Sequence, residues 1–302
     1  MITFRKIELE DQNNYKPYMS KQQCRSCECT FANLYLWSRF YHVTAAVADG
    51  MLLTKSEYED YLSFGFPMGD LKNLNHAMEH LKEYSTGKGV PFQMHNVTPE
   101  QFAVLEERYP GRFQIEYRRD YADYVYEAEK LAKLSGKKYH GKKNHTNKFK
   151  KTYPDWTYES LGASNLEECF QMALNWRRLN GCEEDEEKNS EMCVTLNSLR
   201  LFQELQLSGG LLRVKGEVVA FSIGEPVTND TFVVHIEKAY ADVPGAYPMI
   251  NQQFVEHETE GFTYINREED MGEEGLRNAK ESYHPVFMVE KGIVTEKANL
   301  KS

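Results

Sequence analysis

The sequence predicts an α/β protein in which a mixed sheet flanked by helices is built twice along one chain. Three observations predict it. The chain has 302 residues, 41% hydrophobic and 13% aromatic, more than one ordinary core needs and enough for two. Short runs with alternating apolar residues recur between segments whose apolar residues repeat at helical spacing. The element order of residues 2–119 also returns in residues 155–297: strand, two helices, hairpin, strand, helix, strand, helix, strand. The expected layout is an N-terminal unit at 1–122, a lysine-rich helical connector at 123–153, and a C-terminal unit at 154–302 that carries the activity.

In the first half, ITFRKIEL is a strand, and DQNNYKPYMSKQQ and TFANLYLWSRF are helices. HVTAAVA and MLLTKS flank Asp49-Gly50, a two-residue hairpin turn. YLSFGF is a strand, and Asp70 caps a helix with Leu71, Leu74, Met78 and Leu81 on one face. PFQMHNV is a strand, Thr98-Pro-Glu-Gln101 a capping box with proline at the first helical position, and RFQIEYRR the closing strand. In the second half, DWTYESL is a strand, and Ser164-x-x-Glu167 opens a helix that stops at Asn180-Gly181. A helix through Met192, Leu196, Leu199 and Phe202 precedes the hairpin LLRV-KG-EVVAFSIG. TFVVHIEKAY is a long strand, PMINQQFVEH a helix, TYIN a strand, EGLRNAKESY a helix and VFMVEKGIVTEK the last strand. This order resembles the acyltransferase fold of the GCN5-related N-acetyltransferases (GNAT), here in tandem.

No apolar run approaches the ~20 residues that cross a bilayer, and MITFRKIELEDQ carries acids where a signal peptide is apolar. A soluble, cytoplasmic protein is expected. Its cysteines, at 24, 27, 29, 169, 182 and 193, are expected to be reduced; CRSCEC lacks the second ligand pair of a structural zinc site, so no metal is expected.

Charge is unevenly distributed. Residues 130–151, KLAKLSGKKYHGKKNHTNKFKK, hold nine lysines, two histidines and no acid. Removing that +9 from the net −10 leaves −19 for the rest of the chain. Such a stretch, interleaved with Tyr139, Phe149 and Tyr153, suits a nucleic-acid backbone or an anionic lipid head group; a solvated helix face is the other reading.

In an acetyltransferase-like fold the acyl donor lies where the fourth strand splays from the fifth, with its phosphates at the N-terminus of the next helix. Here that junction reads Asp242-Val-Pro-Gly-Ala-Tyr-Pro, with one glycine, an acid that repels phosphate and a proline that removes a donor. FGFPMGDLKN in the first half is no better, so acetyl-CoA is disfavoured. Glu237, on the splaying strand, is the expected base, and Tyr283 the expected acid. Backbone N–H groups near the Tyr240–Tyr247 bend are expected to steady an oxyanion, with His235 and His284 in reserve. Tyr247 and Asn251 join the expected substrate-binding set, as do residues of INREEDMGEEGLRNAKESYHP just past a strand end.

These stretches carry a closer likeness. YVYEAEKLAKLSGKKYHGKKNHTNKFKKTYP, EKAYADVPGAYPMINQQF and YINREEDMGEEGLRNAKESYHP resemble a family of soluble bacterial proteins grouped with the C-terminal catalytic domain of phosphatidylglycerol lysyltransferase. The resemblance covers essentially the whole chain and implies a tandem GNAT-like fold related to the Fem-type aminoacyltransferases. It implies an acyl or aminoacyl transferase, with aminoacyl-tRNA as donor and a lipid head group or another hydroxyl or amine as acceptor. It makes Lys142, Lys143, Asn144 and His145 a donor-side or head-group surface. It makes Asn266, Arg267, Glu268, Asp270, Gly275, Arg277 and Lys280 the wall of the acceptor site. The alternative is a non-catalytic module that binds RNA or anionic head groups through the same lysines.

Overall fold

The structure is a computed structural model and describes residues 2–59 and 61–298. In the first part of the chain, β1 (Arg5–Lys6), α1 (Gln12–Met19) and α2 (Phe31–Ser38) precede a hairpin of β2 (Val43–Ala48) and β3 (Met51–Tyr58). Then follow β4 (Tyr61–Phe64), β5 (Met68–Gly69), α3 (Leu74–Lys88), β6 (Gln93–Val97), α4 (Pro99–Arg108) and β7 (Phe113–Tyr117). β8 (Asp123–Glu127), α5 (Ala128–Lys133) and α6 (His140–Thr152) come next. The remainder is β9 (Thr157–Ser160), α7 (Leu166–Leu179), α8 (Glu186–Arg200), β10 (Ser208–Val214), β11 (Glu217–Pro226) and β12 (Thr231–Ala239). It ends with α9 (Ala246–Glu258), β13 (Tyr264–Asn266), α10 (Glu274–Glu281), β14 (Phe287–Val289) and β15 (Gly292–Glu296).

The local signals act as their chemistry requires. Both hairpins turn on two residues with positive φ, Asp49-Gly50 and Lys215-Gly216. Thr98 and Gln101 close a reciprocal capping box on α4. The α7 start differs from the expected Ser164 box: Asn165 is the N-cap, and its Oδ1 accepts from the Gly162 N–H instead.

Two mixed sheets result. The first runs β1-β2-β3-β4-β6-β15-β7, with β5 on β3; the second runs β14-β8-β13-β12-β11-β10-β9. The chain separates into two compact units, one of Met1–Asp123, Glu269–Glu273 and Met288–Ser302, the other of Tyr124–Glu268 and Glu274–Phe287. The sequence-expected last strand is two strands. β14 belongs to the second sheet, and β15 pairs antiparallel with β6 and β7 in the first. Gly292 permits the entry of β15, since a Cβ there would lie 2.5 Å from Ile115 Cγ1 and 2.9 Å from the Glu116 carbonyl. The start of the expected connector is likewise a strand. β8 pairs with β13 in the second sheet, and its Tyr124-Val125-Tyr126 run is fully buried, as a strand inside a sheet with both faces covered must be.

α6 belongs to the second unit's packing. Its N-cap Tyr139 and its Thr146 and Phe149 are buried, and Phe149 lies in a core with Leu212, Ala220, Met249 and Ile250. Burying one phenylalanine is worth roughly 1.5–3 kcal/mol, enough to hold a lysine-rich helix against an acidic body without any ion pair. The first unit has its own core around Leu53, Phe64, Leu81, Met94 and Phe113.

Candidate functional site

The site of the second unit begins with a parallel pair that parts. β12 and β13 are paired from Thr231–Tyr264 to Val233–Asn266, while β12 continues alone on that side to Ala239. After β13 the backbone turns sharply. Asn266, fully buried, accepts the Glu268 N–H at 2.7 Å, and Glu268 sits at φ 57. A left-handed non-glycine residue costs about 1 kcal/mol or more, and this one is held by three bonds. Its N–H is taken by Asn266, its carbonyl by the Tyr124 N–H at 3.1 Å, and its carboxylate by His235 at 2.7 Å.

That turn drives Arg267 toward the splayed part of β12. Its Nη2 donates to Glu237 Oε1 at 2.9 Å, and the second carboxylate oxygen of Glu237 accepts from Asn251 Nδ2 of α9 at 3.0 Å. The carboxylate fixes the Asn251 amide, because the flipped amide would set oxygen against oxygen. Two atoms are left over. Arg267 Nη1 and Asn251 Oδ1 are buried with no hydrogen-bond partner among the described residues. Beneath them lies an aromatic floor: Arg267 Cζ is 4.8 Å from the Tyr283 ring centre and 5.7 Å from that of Tyr126, and the two rings meet edge to face.

Lys142 of α6 completes the group, with Nζ 4.0 Å above the Tyr283 ring centre. Burial and the Arg267 guanidinium lower its pKa below the ordinary lysine value, against the opposing pull of Glu237. Burial also pushes the Tyr283 and Tyr126 hydroxyls well up. Lys280 donates to the Arg267 carbonyl at 2.7 Å, and its own carbonyl accepts the Tyr126 hydroxyl at 2.8 Å. α6 also covers the start of α9. Gly245, at φ 87, lies so close that a Cβ would sit 2.8 Å from the His145 carbonyl and 3.1 Å from Phe149 Cβ.

Of the sequence-expected residues, Lys142, Glu237, Asn251, Arg267, Lys280 and Tyr283 thus meet, with Asn266 and Glu268 shaping the turn that carries Arg267. Lys143, Asn144 and His145 are exposed on α6, and Tyr247 is 37% exposed in the first turn of α9. Gly275 is exposed and Arg277 half-buried on α10. Asp270 lies in the first unit, fully buried, accepting from Arg119 Nη1 at 3.2 Å and from the Gly272 N–H.

Two clusters join residues that the sequence left apart: His235, expected only in reserve, meets Glu268 of the expected acceptor wall, and a buried lysine gathers acids in the first unit. His235 sits between Glu268 at 2.7 Å and Glu225 at 3.2 Å; the two carboxylates outweigh burial and raise its pKa to about 10, so it is an imidazolium. It lies two residues before Glu237, but the bulge opposite Ile223 and Gly224 breaks the alternation between them, so strand periodicity did not announce the cluster. In the first unit, buried Lys291 reaches Asp123 at 2.7 Å, Glu28 at 2.8 Å, and Glu269 and the Cys27 thiol at 3.4 Å each. Burial, offset in part by Lys291, raises the Asp123 carboxyl to about 8. Cys27, Asp123 and Glu269 offer donor atoms of the kind a metal takes, and the ammonium of Lys291 stands among them.

A conserved protein of unknown function from Bacteroides thetaiotaomicron superposes with a TM-score of 0.93 at 38% identity, over 98% of this chain and 100% of that one. L-PGS from Bacillus licheniformis superposes at 0.65 with 13% identity, over 95% and 92% of the two chains, a likeness of fold. An uncharacterised protein of Mycoplasmoides gallisepticum is 27% identical over 177 residues, 57% of this chain and 55% of that protein, so the match spans about half that relative's length. The architecture is two compact units, each with a mixed sheet. No helix among the described residues is long and apolar enough to cross a membrane. The family described as phosphatidylglycerol lysyltransferase, C-terminal, matches residues 22–294, and the chain belongs to it.

Proposed function

We propose that the second unit is an aminoacyl transferase that moves an aminoacyl group from aminoacyl-tRNA to a hydroxyl or amine acceptor, a lipid head group being one such acceptor. One observation carries the reading: a buried donor, Arg267 Nη1, and a buried acceptor, Asn251 Oδ1, left unpartnered on side chains tied to a single carboxylate. Leaving each unmade costs about 1–3 kcal/mol, which a ligand with the complementary pair recovers. An aminoacyl ester is such a ligand. Its carbonyl oxygen takes the guanidinium N–H, and its α-ammonium donates to the amide oxygen. As a nucleophile attacks, negative charge gathers on the carbonyl oxygen, where Arg267 holds it.

Glu237 has both oxygens engaged and acts in this reading as the anchor that orients Arg267 and Asn251. Tyr283, its hydroxyl proton held by burial, acts as a floor rather than an acid. The exposed lysines at 143, 148, 150 and 151 give a polyanionic donor a path along α6. Acetyl-CoA fits less well, since α6 lies against the α9 start where its phosphates would go.

The test is transfer of radiolabelled amino acid from charged tRNA by the purified full chain. Arg267→Lys keeps a cation but loses the fork, and should lower transfer about 100-fold with the fold retained. Transfer indifferent to that substitution would refute the reading.

A further inference from the structure

We propose that Lys142 is the proton carrier of the site: its neutral amine takes the proton from the attacking acceptor and hands it to the departing hydroxyl of the donor. This rests on the aminoacyl-transfer reading. The other groups are committed or inert. Glu237 is bonded through both oxygens, Arg267 does not release a proton at working pH, and Asn251 is neutral. Lys280 is pinned to the Arg267 carbonyl and lies 5.8 Å from the Tyr124 ring centre.

Lys142 differs in kind. Among the described residues it makes no ion pair, and its Nζ rests on the face of Tyr283 in the company of Arg267. The charged and titratable groups around it come from five elements. β12 brings Glu237, the turn after β13 brings Arg267, and β8 brings Tyr126. The segment around α10 brings Lys280, Tyr283 and His284, the last bonded to the Lys138 carbonyl at 3.1 Å, while α6 itself adds Lys143 and His145. Burial and the guanidinium favour the neutral amine; Glu237 and the ring face favour the ammonium. Both protonation states therefore have a place to rest, as a group that gains and loses a proton in each turnover requires.

The step balances without a co-reactant. The acceptor's oxygen or nitrogen bonds to the ester carbon while its proton passes to Lys142 Nζ, and the carbonyl electron pair moves onto the oxygen held by Arg267. When that pair returns, the bond from carbon to the ribose oxygen breaks, and the leaving oxygen takes the proton from the Lys142 ammonium. Lysine is thereby returned to its neutral form, the acceptor carries the aminoacyl group, and the tRNA leaves with a free ribose hydroxyl.

The experiment has two arms. Acetic anhydride labelling of the full chain, read by peptide mass spectrometry from pH 6.5 to 10.5, gives each lysine a midpoint that depends on its protonation and not on its access. Lys142 should reach half-maximal labelling at lower pH than Lys143 and Lys148 of the same helix, and an equal or higher midpoint would overturn the proposal. In the second arm, transfer from charged tRNA should rise with pH through the Lys142 midpoint. Lys142→Arg keeps the positive charge but cannot give up a proton, and should lower kcat about 100-fold or more with KM within about threefold, whereas a mere binding charge would be preserved by arginine and leave kcat unchanged. Unchanged kcat in Lys142→Arg would overturn the proposal. A low midpoint with no transfer from any charged tRNA would overturn it through the reading it rests on, leaving the perturbed lysine standing.

Discussion

Replacing His235 with glutamine tests the charge state that holds the Arg267 turn in place. In the fold, the imidazole is nearly enclosed and lies between Glu268 and Glu225 at 2.7 and 3.2 Å. Its pKa is raised from 6.5 to about 10. A raised value means that the stabilisation is complete below pH 6.5 and is lost as pH climbs toward 10, because the folded chain holds a proton that the unfolded chain has released. Each pH unit inside the window is worth at most about 1.4 kcal/mol, so wild-type stability should fall by roughly 2–3 kcal/mol from this group between pH 7 and pH 9. Glutamine keeps a hydrogen-bonding side chain but removes the charge, leaving the buried Glu225 and half-buried Glu268 carboxylates without a cation between them. The variant should be about 3–5 kcal/mol less stable near pH 6.5, with the gap to wild type closing toward pH 10. Urea unfolding at five pH values, followed by Trp156 and Trp176 in a Trp37→Phe background, measures the second unit directly. A gap that stays constant across that range would mean a neutral imidazole, and the electrostatic account of the turn would fall.

Three other substitutions probe the frame. Lys291→Met leaves Asp123, Glu28 and Glu269 uncompensated in the first unit and should cost about 3–5 kcal/mol in urea unfolding. Asp123, raised from 3.8 to about 8, makes the wild-type fold lose stability as pH rises through that window, and the loss should be steeper in Lys291→Met; a pH-independent penalty would refute the pairing. Gly245→Ala puts a Cβ 2.8 Å from the His145 carbonyl at a positive φ, and should cost about 2 kcal/mol and shift the Lys142 labelling midpoint toward that of Lys143. Gly162→Ala, with open space around it, should change stability by less than about 0.5 kcal/mol and leave that midpoint alone.

Much of the fold was legible because it is written in local chemistry. Asp49-Gly50 and Lys215-Gly216 specify their hairpins whatever surrounds them, and Thr98 with Gln101 specifies the start of α4. What local chemistry does not write is which sheet a strand enters. β8 precedes the lysines and reads as their lead-in; β15 follows β14 after only two residues and reads as its continuation. Both are assigned by long-range partners, Tyr264–Asn266 for one and two strands around residues 94 and 115 for the other. The Lys291 cluster was invisible for the same reason, since nothing beside Lys291 in sequence announces that it will be buried. The site was more legible than its roles. Glu237, Asn251, Arg267 and Tyr283 stand out by residue type and placement, yet the sequence does not show that both oxygens of Glu237, the expected base, are taken by Asn251 and Arg267.

The lysine stretch divides in a way that helical phase alone could have revealed. Tyr139, Lys142, Thr146 and Phe149 recur at intervals of three, four and three, one face of a helix; Lys143, Asn147 and Lys150 fall on another. The apolar members of the first set must be buried to fold α6 onto the second unit, and Lys142 is carried inward with them. Composition treats the nine lysines as one charge reservoir, but the helix separates them physically. One loses water and gains Arg267 as a neighbour, so its proton becomes easier to remove; the exposed ones keep their hydration and remain fixed cations. The proposed division, a polyanion drawn by the second kind and a proton carried by the first, is open to adjacent positions 142 and 143 only because one residue along a helix is a turn of 100°.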